Sequence, residues 1–319
     1  MMSHEVHRRD PNGQPCEEYQ LLDFGRGRRL ERFGEVVLDR PCPAAEAFER
    51  ADERAWSQAD ARFEGRDQEK GLWTAGRELP ERWIVGRDRL RFELKRTDFG
   101  HVGLFPEQAE NWAWILGQCR SAAPGTAAQV DATTDVPSAA KQSIAAADRI
   151  PTILNLFAYT GGSTLAAAAA GAEVVHVDAA KNVVAWARRN AELSGLADAP
   201  LRWIAEDALK FVKRELRRGN GYDAVILDPP SYGHGPRGEV WRLSKHLPRL
   251  LSLCGELTAG RLRFMLVTCH TPGYDAAVLR EMLEQTLGAA GRIEARPLTL
   301  RSAAGRELPS GVMARWQAV

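Results

Sequence analysis

The 319-residue chain lacks the cysteine spacings of a disulfide framework or a zinc ribbon. Its five cysteines, Cys16, Cys42, Cys119, Cys254 and Cys269, are scattered with no C-x-x-C pair. Reduced thiols in a cytoplasmic protein are the expectation. Paired metal ligands are missing as well, so no metal is expected. No window approaches the roughly 18 consecutive apolar residues of a membrane span. The opening "MMSHEVHRRD" has no apolar core of a signal peptide, and no membrane association is expected. Net charge is nearly absent, at +1. Such a total excludes little about nucleic acid, because it can hide local asymmetry. Residues 1–121 hold 20 Lys+Arg against 23 Asp+Glu, and residues 151–319 hold 21 against 16. The helix-like "FVKRELRRG" (211–219) gathers Lys213, Arg214, Arg217 and Arg218, which alone reads as a solvated face.

What is present falls into four stretches. Residues 1–85 read as a small β-rich domain, with short strands punctuated by Gly25, Gly27 and Gly34 over 19–39. The Ala/Glu/Arg-rich run 44–63 predicts a helix. Residues 86–121 lead into a second domain: "RWIVGRDRLRFELKRT" (82–97) and "HVGLF" (101–105) alternate like strands, and "EQAENWAWILGQC" (107–119) predicts a helix. Residues 122–150, rich in Ala, Thr, Ser and Asp, read as a flexible linker or insertion.

From 151 to 319 strands and helices alternate. Strands are predicted at 152–157, 173–178, 201–207, 222–228 and 263–269, and helices at 163–171, 180–195 and 208–219. A closing antiparallel pair is predicted from 292–300 and 311–319. Continuous apolar strands joined by helices imply an α/β fold, a doubly wound parallel sheet covered on both faces.

Ligands of such sheets bind beyond the carboxyl ends of the strands. After the first strand, "AYTGGST" carries Gly161 and Gly162, which let the backbone turn tightly and approach a ligand. Asp178, Asp207 and Asp228 close the next three strands. Each is alone explicable as a helix cap or turn residue; together they point at one crevice. Asp178 stands near the offset at which an acidic residue meets ribose hydroxyls. The G-x-G-x-x-G spacing that seats a pyrophosphate is absent, which disfavours a nicotinamide-dependent oxidoreductase. Adjacent glycines beside Tyr159-Thr160 suit a ligand with ribose and amino-acid parts and no phosphate, and S-adenosylmethionine meets that description.

The segments "LNLFAYTGGSTLAAAAAGAEVVHVDAAKNVVAWARRNAELSG" and "YDAVILDPPSYG" resemble the class I S-adenosylmethionine-dependent methyltransferases, with their Rossmann-like catalytic domain. More narrowly they resemble the RlmI-type large-subunit ribosomal RNA (cytosine-C5) methyltransferases, over about residues 86–319. "GHVGLFPEQAENW" (100–112) is similar to the segment by which that family approaches its cofactor from the N-terminal side. The resemblance implies S-adenosylmethionine as cofactor and RNA, ribosomal RNA above all, as partner. It implies that Tyr159, Thr160 and Gly161 contact the methionine end of the cofactor, Asp178 the ribose and Asp207 the adenine amino group. Asp228, Pro229 and Pro230 then line the methyl-transfer site. Two departures stand out: Phe105-Pro106-Glu107-Gln108 lacks the family's guanidinium, and residues 1–85 do not resemble an RNA-binding PUA domain.

Two acceptor chemistries follow. An exocyclic amine needs hydrogen-bond acceptors at Asp228-Pro229-Pro230 and a ring to stack on, with Ser231, Tyr232 and His234 as acceptor-binding candidates. Carbon 5 of cytosine needs a thiolate to add first to the neighbouring carbon, and Cys269 in "LVTCHT" is the candidate nucleophile. His270 is expected on the face opposite Cys269. A methyl acceptor that is a small molecule or a protein is the alternative to RNA.

Overall fold

The computed structural model describes residues 18–65, 70–120, 149–235, 237–288 and 291–319. The linker expected at 122–150 falls, but for its last two residues, outside them. The chain divides into two units: Met1–Glu107 with Arg189–Ser194 and Thr299–Ser310, and Gln108–Arg188 with Gly195–Leu298 and Gly311–Val319.

In the first unit, β1 (Tyr19–Gly25), β2 (Arg28–Phe33) and β3 (Val36–Pro41) form the expected antiparallel meander. The sheet continues with β4 (Ala61–Glu64), parallel to β3, and β5 (Leu72–Ala75); β6 (Arg82–Arg87) and β7 (Leu90–Lys95) pair as a separate hairpin. "HVGLF" forms no strand: Gly100 and Gly103 hold positive φ, and Pro106 offers no N–H to a ladder. The helix expected over 44–63 shrinks to a four-residue turn, α1 (Glu53–Trp56). Its propensity is overridden by Asp23, a buried carboxylate that accepts hydrogen bonds from the Ala51 and Asp52 backbone N–H groups and from Trp56 Nε1. Those bonds help hold Asp52, the residue that caps α1, in an extended conformation.

The second unit opens with α2 (Ala109–Arg120) and is built on seven strands. They are β8 (Thr152–Leu156), β9 (Glu173–Asp178), β10 (Leu201–Ala205), β11 (Ala224–Leu227), β14 (Phe264–Cys269), β15 (Gly291–Arg301) and β16 (Glu307–Ala318). Their order is β10-β9-β8-β11-β14-β16-β15, with the first five parallel and β16 antiparallel to β14. Four helices alternate with the strands: α3 (Gly162–Ala169), α4 (Lys181–Leu193), α5 (Ala208–Arg217) and α7 (Ala276–Leu287). A short hairpin, β12 (Tyr232–His234) with β13 (Val240–Arg242), and helix α6 (Leu243–Leu257) follow β11. Every residue of β11 and β14 is buried, as strands covered on both faces require. Reversal of strand order at β8/β11 opens the crevice where doubly wound sheets bind ligands.

Beneath that crevice lies a buried polar trio. Asn155 Nδ2 donates to Thr164 Oγ1 at 2.9 Å, and Thr164 Oγ1 meets His176 Nδ1 at 2.9 Å. His176 Nε2 has no hydrogen-bond partner among the described residues, and burial pushes the imidazole down to about 3. A histidine depressed this way stabilises the fold fully above its unfolded value near 6.5, and that stability is lost as pH falls through the window below it. At pH 5 the loss amounts to about 2 kcal/mol. Urea unfolding at pH 7 and pH 5 should show a larger drop for the native chain than for His176→Gln. Equal drops would refute the assignment.

Candidate active site

The turn after β8 carries unusual backbone. Phe157 and Tyr159 adopt φ of 55° and 48°, and Gly161 94°. Left-handed geometry costs an aromatic residue roughly 1–2 kcal/mol. It persists because the turn is pinned at several points: Ala158 N donates to Val177 O at 3.1 Å, Tyr159 N to Asp178 Oδ2 at 2.9 Å, and Gly161 N to Ala158 O at 3.0 Å. Strain of this kind gathers at functional sites. The two glycines divide their labour differently from expectation. Gly161 supplies the positive φ, whereas a Cβ on Gly162 would stand 2.4 Å from the Trp112 ring, so Gly162 makes room for an indole rather than a ligand.

A cavity of about 280 Å³ opens at the carboxyl ends of the strands. This is near the lower bound of roughly 300 Å³ for ligand sites. Among the described residues its wall carries four carboxylates, Asp178, Glu206, Asp207 and Asp228, and no lysine or arginine; Phe157, Tyr159 and Trp241 supply aromatic surface. Such a wall repels phosphate and suits a cationic ligand. A larger opening of about 680 Å³ lies at the other end of the strands, among Arg202, Glu215 and Arg261. The smaller cavity is the candidate, because the strand carboxyl ends converge there.

Asp178 ends β9 with both oxygens engaged, Oδ2 by Tyr159 N and Oδ1 by Ala180 N, each at 2.9 Å. Burial pushes its carboxyl above the usual range despite these N–H donors. A carboxylate accepts about four hydrogen bonds; the Ala179 N–H adds a weaker third contact, and acceptor capacity remains for the hydroxyls of a vicinal diol. Asp207 caps α5 through Lys210 N at 2.9 Å, two residues beyond the end of β10.

Asp228 follows β11 directly. Thr268 Oγ1 donates to its Oδ1 at 2.6 Å, Gln108 Nε2 donates to its Oδ2 at 3.2 Å, and His270 Nε2 lies 3.5 Å from Oδ1. Burial opposes its charge, but His270, Thr268 and Gln108 hold the carboxyl below its usual range. The following turn is tied down by its carbonyls. Trp241 Nε1 donates to Pro230 O at 2.7 Å and Leu243 N donates to Ser231 O at 3.0 Å. Each carbonyl thus spends one of its two lone pairs on holding the turn. Trp241 also packs against Phe157, with ring centroids 4.8 Å apart.

Strand alternation puts Thr268 on one face of β14 and Cys269 on the other. Cys269 packs into the core with Met265 and Val267 and is 1% exposed. Burial, and the nearby Asp228 charge, push its thiol up, while Thr271 N donates to Sγ at 3.5 Å. Of the residues singled out from sequence, Tyr159, Asp178, Asp207, Asp228, Pro230 and His234 line the cavity. Thr160, Gly161, Pro229, Ser231, Tyr232 and Cys269 do not. On α5, Arg214 pairs with Glu206 and Arg218 with Glu215, while Lys213 and Arg217 are exposed, so this stretch is largely a solvated, internally paired face.

Fold and cavity together define a Rossmann-like α/β protein with an acidic cavity at the switch point of a doubly wound sheet. The S-adenosylmethionine-dependent methyltransferase family matches residues 135–269. A crystal structure of an S-adenosylmethionine-dependent methyltransferase from Agrobacterium tumefaciens is 35% identical with a TM-score of 0.82, over 95% of this chain and 91% of that one. The chain belongs to the S-adenosylmethionine-dependent methyltransferases and is an enzyme of that class. Ribosomal RNA large subunit methyltransferase I of Aeromonas hydrophila is 40% identical over 81 residues, 25% of this chain and 20% of that protein. Ribosomal RNA large subunit methyltransferase K/L of Shewanella frigidimarina is 34% identical over 114 residues, 33% of this chain and 16% of that protein. The chain thus spans a fifth or less of these two curated relatives. Among the described residues no helix is long and apolar enough to cross a membrane.

Proposed function

We propose that this enzyme transfers the methyl group of S-adenosylmethionine to a nucleotide of RNA, with ribosomal RNA as the substrate class. The acidic cavity beside Asp228-Pro229-Pro230 carries the reading: carboxylates tolerate the sulfonium and the amino group, and the cavity opens next to a turn rigid enough to hold an acceptor. Asp178 takes the ribose hydroxyls, Asp207 the adenine amino group, and Tyr159, Thr160 and Gly161 the methionine end. The partial relatives named for ribosomal RNA support the substrate. So does the hairpin β12–β13, whose exposed residues are Tyr232, His234, Val240 and Arg242, with Arg237 and Lys245 exposed nearby. Aromatic surface among cations suits unstacked bases and phosphates. Aligning the acceptor with an already activated methyl group accounts for roughly 7–11 kcal/mol of barrier.

The acceptor atom turns on Cys269. Cytosine C5 transfer uses its thiolate, and Thr271 N–H is placed to stabilise one; amine transfer leaves the cysteine as packing, which its burial and raised thiol favour. Unmodified ribosomal RNA and labelled cofactor, with the native chain and Cys269→Ala, give the test. Full retained activity in the variant excludes C5 chemistry, and its abolition together with an adduct to 5-fluorocytidine RNA excludes the amine. RNA binding that weakens steeply with salt, as phosphate contacts require, supports the substrate class. No label in RNA from the native chain would overturn it in favour of a small molecule or protein.

A further inference from the structure

Behind Asp228, away from the cavity, a line of buried polar side chains runs to the last strand of the sheet. Arg315 on β16 donates from two nitrogens, at 2.6 and 3.2 Å, to Asn111 Oδ1 on α2. Asn111 Nδ2 donates to Gln108 Oε1 at 2.6 Å. Gln108 Nε2 donates to Asp228 Oδ2 at 3.2 Å and lies 3.3 Å from Thr268 Oγ1. Gln108, Asn111, Thr268 and Arg315 are all buried. Arg315 pairs opposite Leu266 of β14, so alternation sets it on the same sheet face as Thr268.

The direction of every bond in this line is fixed by its ends. A guanidinium can only donate and an ionised carboxylate can only accept. Asn111 must therefore turn its oxygen to Arg315 and its amide nitrogen to Gln108, and Gln108 must do the same toward Asp228. A reversed amide would set two oxygens, or two N–H groups, against each other in a buried place, which costs about 1–3 kcal/mol per unsatisfied group. The line thus turns an N–H of Gln108 toward Oδ2 and favours the ionised carboxylate of Asp228, which accepts that bond more strongly than the neutral acid would, with Oδ1 held by Thr268.

We propose that Gln108, Asn111 and Arg315 are positioning residues that transmit the Arg315 charge to Asp228 and hold its carboxylate ionised in one orientation for methyl transfer. The proposal rests on Asp228 lining the transfer site. Its physical core, the coupling of Arg315 to Asp228, stands whatever the acceptor is. Other charged or titratable groups face the two ends: His270 and Cys269 at Asp228, and Glu294, Arg296 and Glu110 around Arg315. His270 and Cys269 remain in every variant below.

The test is a carboxyl-carbon NMR titration of Asp228 in the full chain, beside the pH profile of methyl transfer to ribosomal RNA. Asn111→Asp is nearly isosteric and neutralises Arg315 locally. With no N–H to offer, the introduced carboxylate forces Gln108 to reverse and present its oxygen to Asp228. The Asp228 midpoint should rise by about one unit or more, equivalent to about tenfold or more in its protonation constant. The acid limb of kcat/KM should move upward with it, while S-adenosylmethionine affinity near neutral pH changes little. Arg315→Met removes the terminal charge without placing a new one and should shift the midpoint the same way by a smaller amount. If Asn111→Asp fails to fold, Arg315→Met carries the test. An Asp228 midpoint unmoved in a folded variant overturns the proposal, even where activity falls, because lost packing alone would not move it. A moved midpoint with no RNA methylation by the native chain overturns the substrate reading and leaves the positioning role intact.

Discussion

Asp178→Ala is expected to lower the affinity for S-adenosylmethionine by a factor on the order of 10² to 10⁴. Each hydrogen bond from a ribose hydroxyl to a carboxylate contributes about 1.5–3 kcal/mol, and about 1.4 kcal/mol is tenfold in affinity. Two such bonds give the range. The loss is compounded because Asp178 also anchors Tyr159 N in its left-handed turn. Since burial raises the Asp178 carboxyl, its protonation on acidification begins above the usual carboxylate range. Affinity in the native chain should therefore weaken earlier than for an exposed carboxylate. Titration calorimetry of the native chain and the variant measures both effects. Undiminished binding by Asp178→Ala would remove the ribose assignment.

Asp228→Asn should lower kcat for methyl transfer on the order of 10²–10³-fold, the size seen when one preorganised electrostatic partner of a transition state is removed. The substitution keeps the shape of the side chain. The new amide can turn its oxygen to Gln108 Nε2 and its nitrogen to Thr268 Oγ1, whose hydroxyl has a second acceptor in Leu227 O at 3.4 Å. Stability should therefore change little, and so should cofactor affinity, because Asp178 and Asp207 remain. Single-turnover methyl transfer, run beside thermal unfolding, separates the two readouts. A variant that turns over normally would show that Asp228 only shapes the wall.

The parallel core was legible because its strands are mostly apolar runs, wholly so in β11, closed by an aspartate or a turn, a local pattern that the buried centre of the sheet requires. Strand edges shifted by a few residues, and Asp207 proved to be a helix cap just beyond its strand. The run 44–63 misled for a tertiary reason: Asp23, far upstream, takes its N–H groups. Gln108 and Thr268 were missed as partners of Asp228, lying 120 and 40 residues from it in the chain. No periodicity signals a bond across such separations. Trp241, whose indole N–H fixes Pro230, carries no local signal of that task either. The sequence marks which residues can do chemistry; side chains that hold them in place have no local signature.

The left-handed turn at Phe157 and Tyr159 sets folding and ligand recognition against each other. Most of the ordering a cofactor would otherwise impose is done when the chain folds, so the apo-protein is kept less relaxed than it could be. Under the proposed assignment of Tyr159 to the methionine end, the cofactor would meet a turn already formed, and association would carry less of the entropic cost of loop closure. Evolution toward a sturdier protein and evolution toward a tighter site would thus pull these residues in opposite directions.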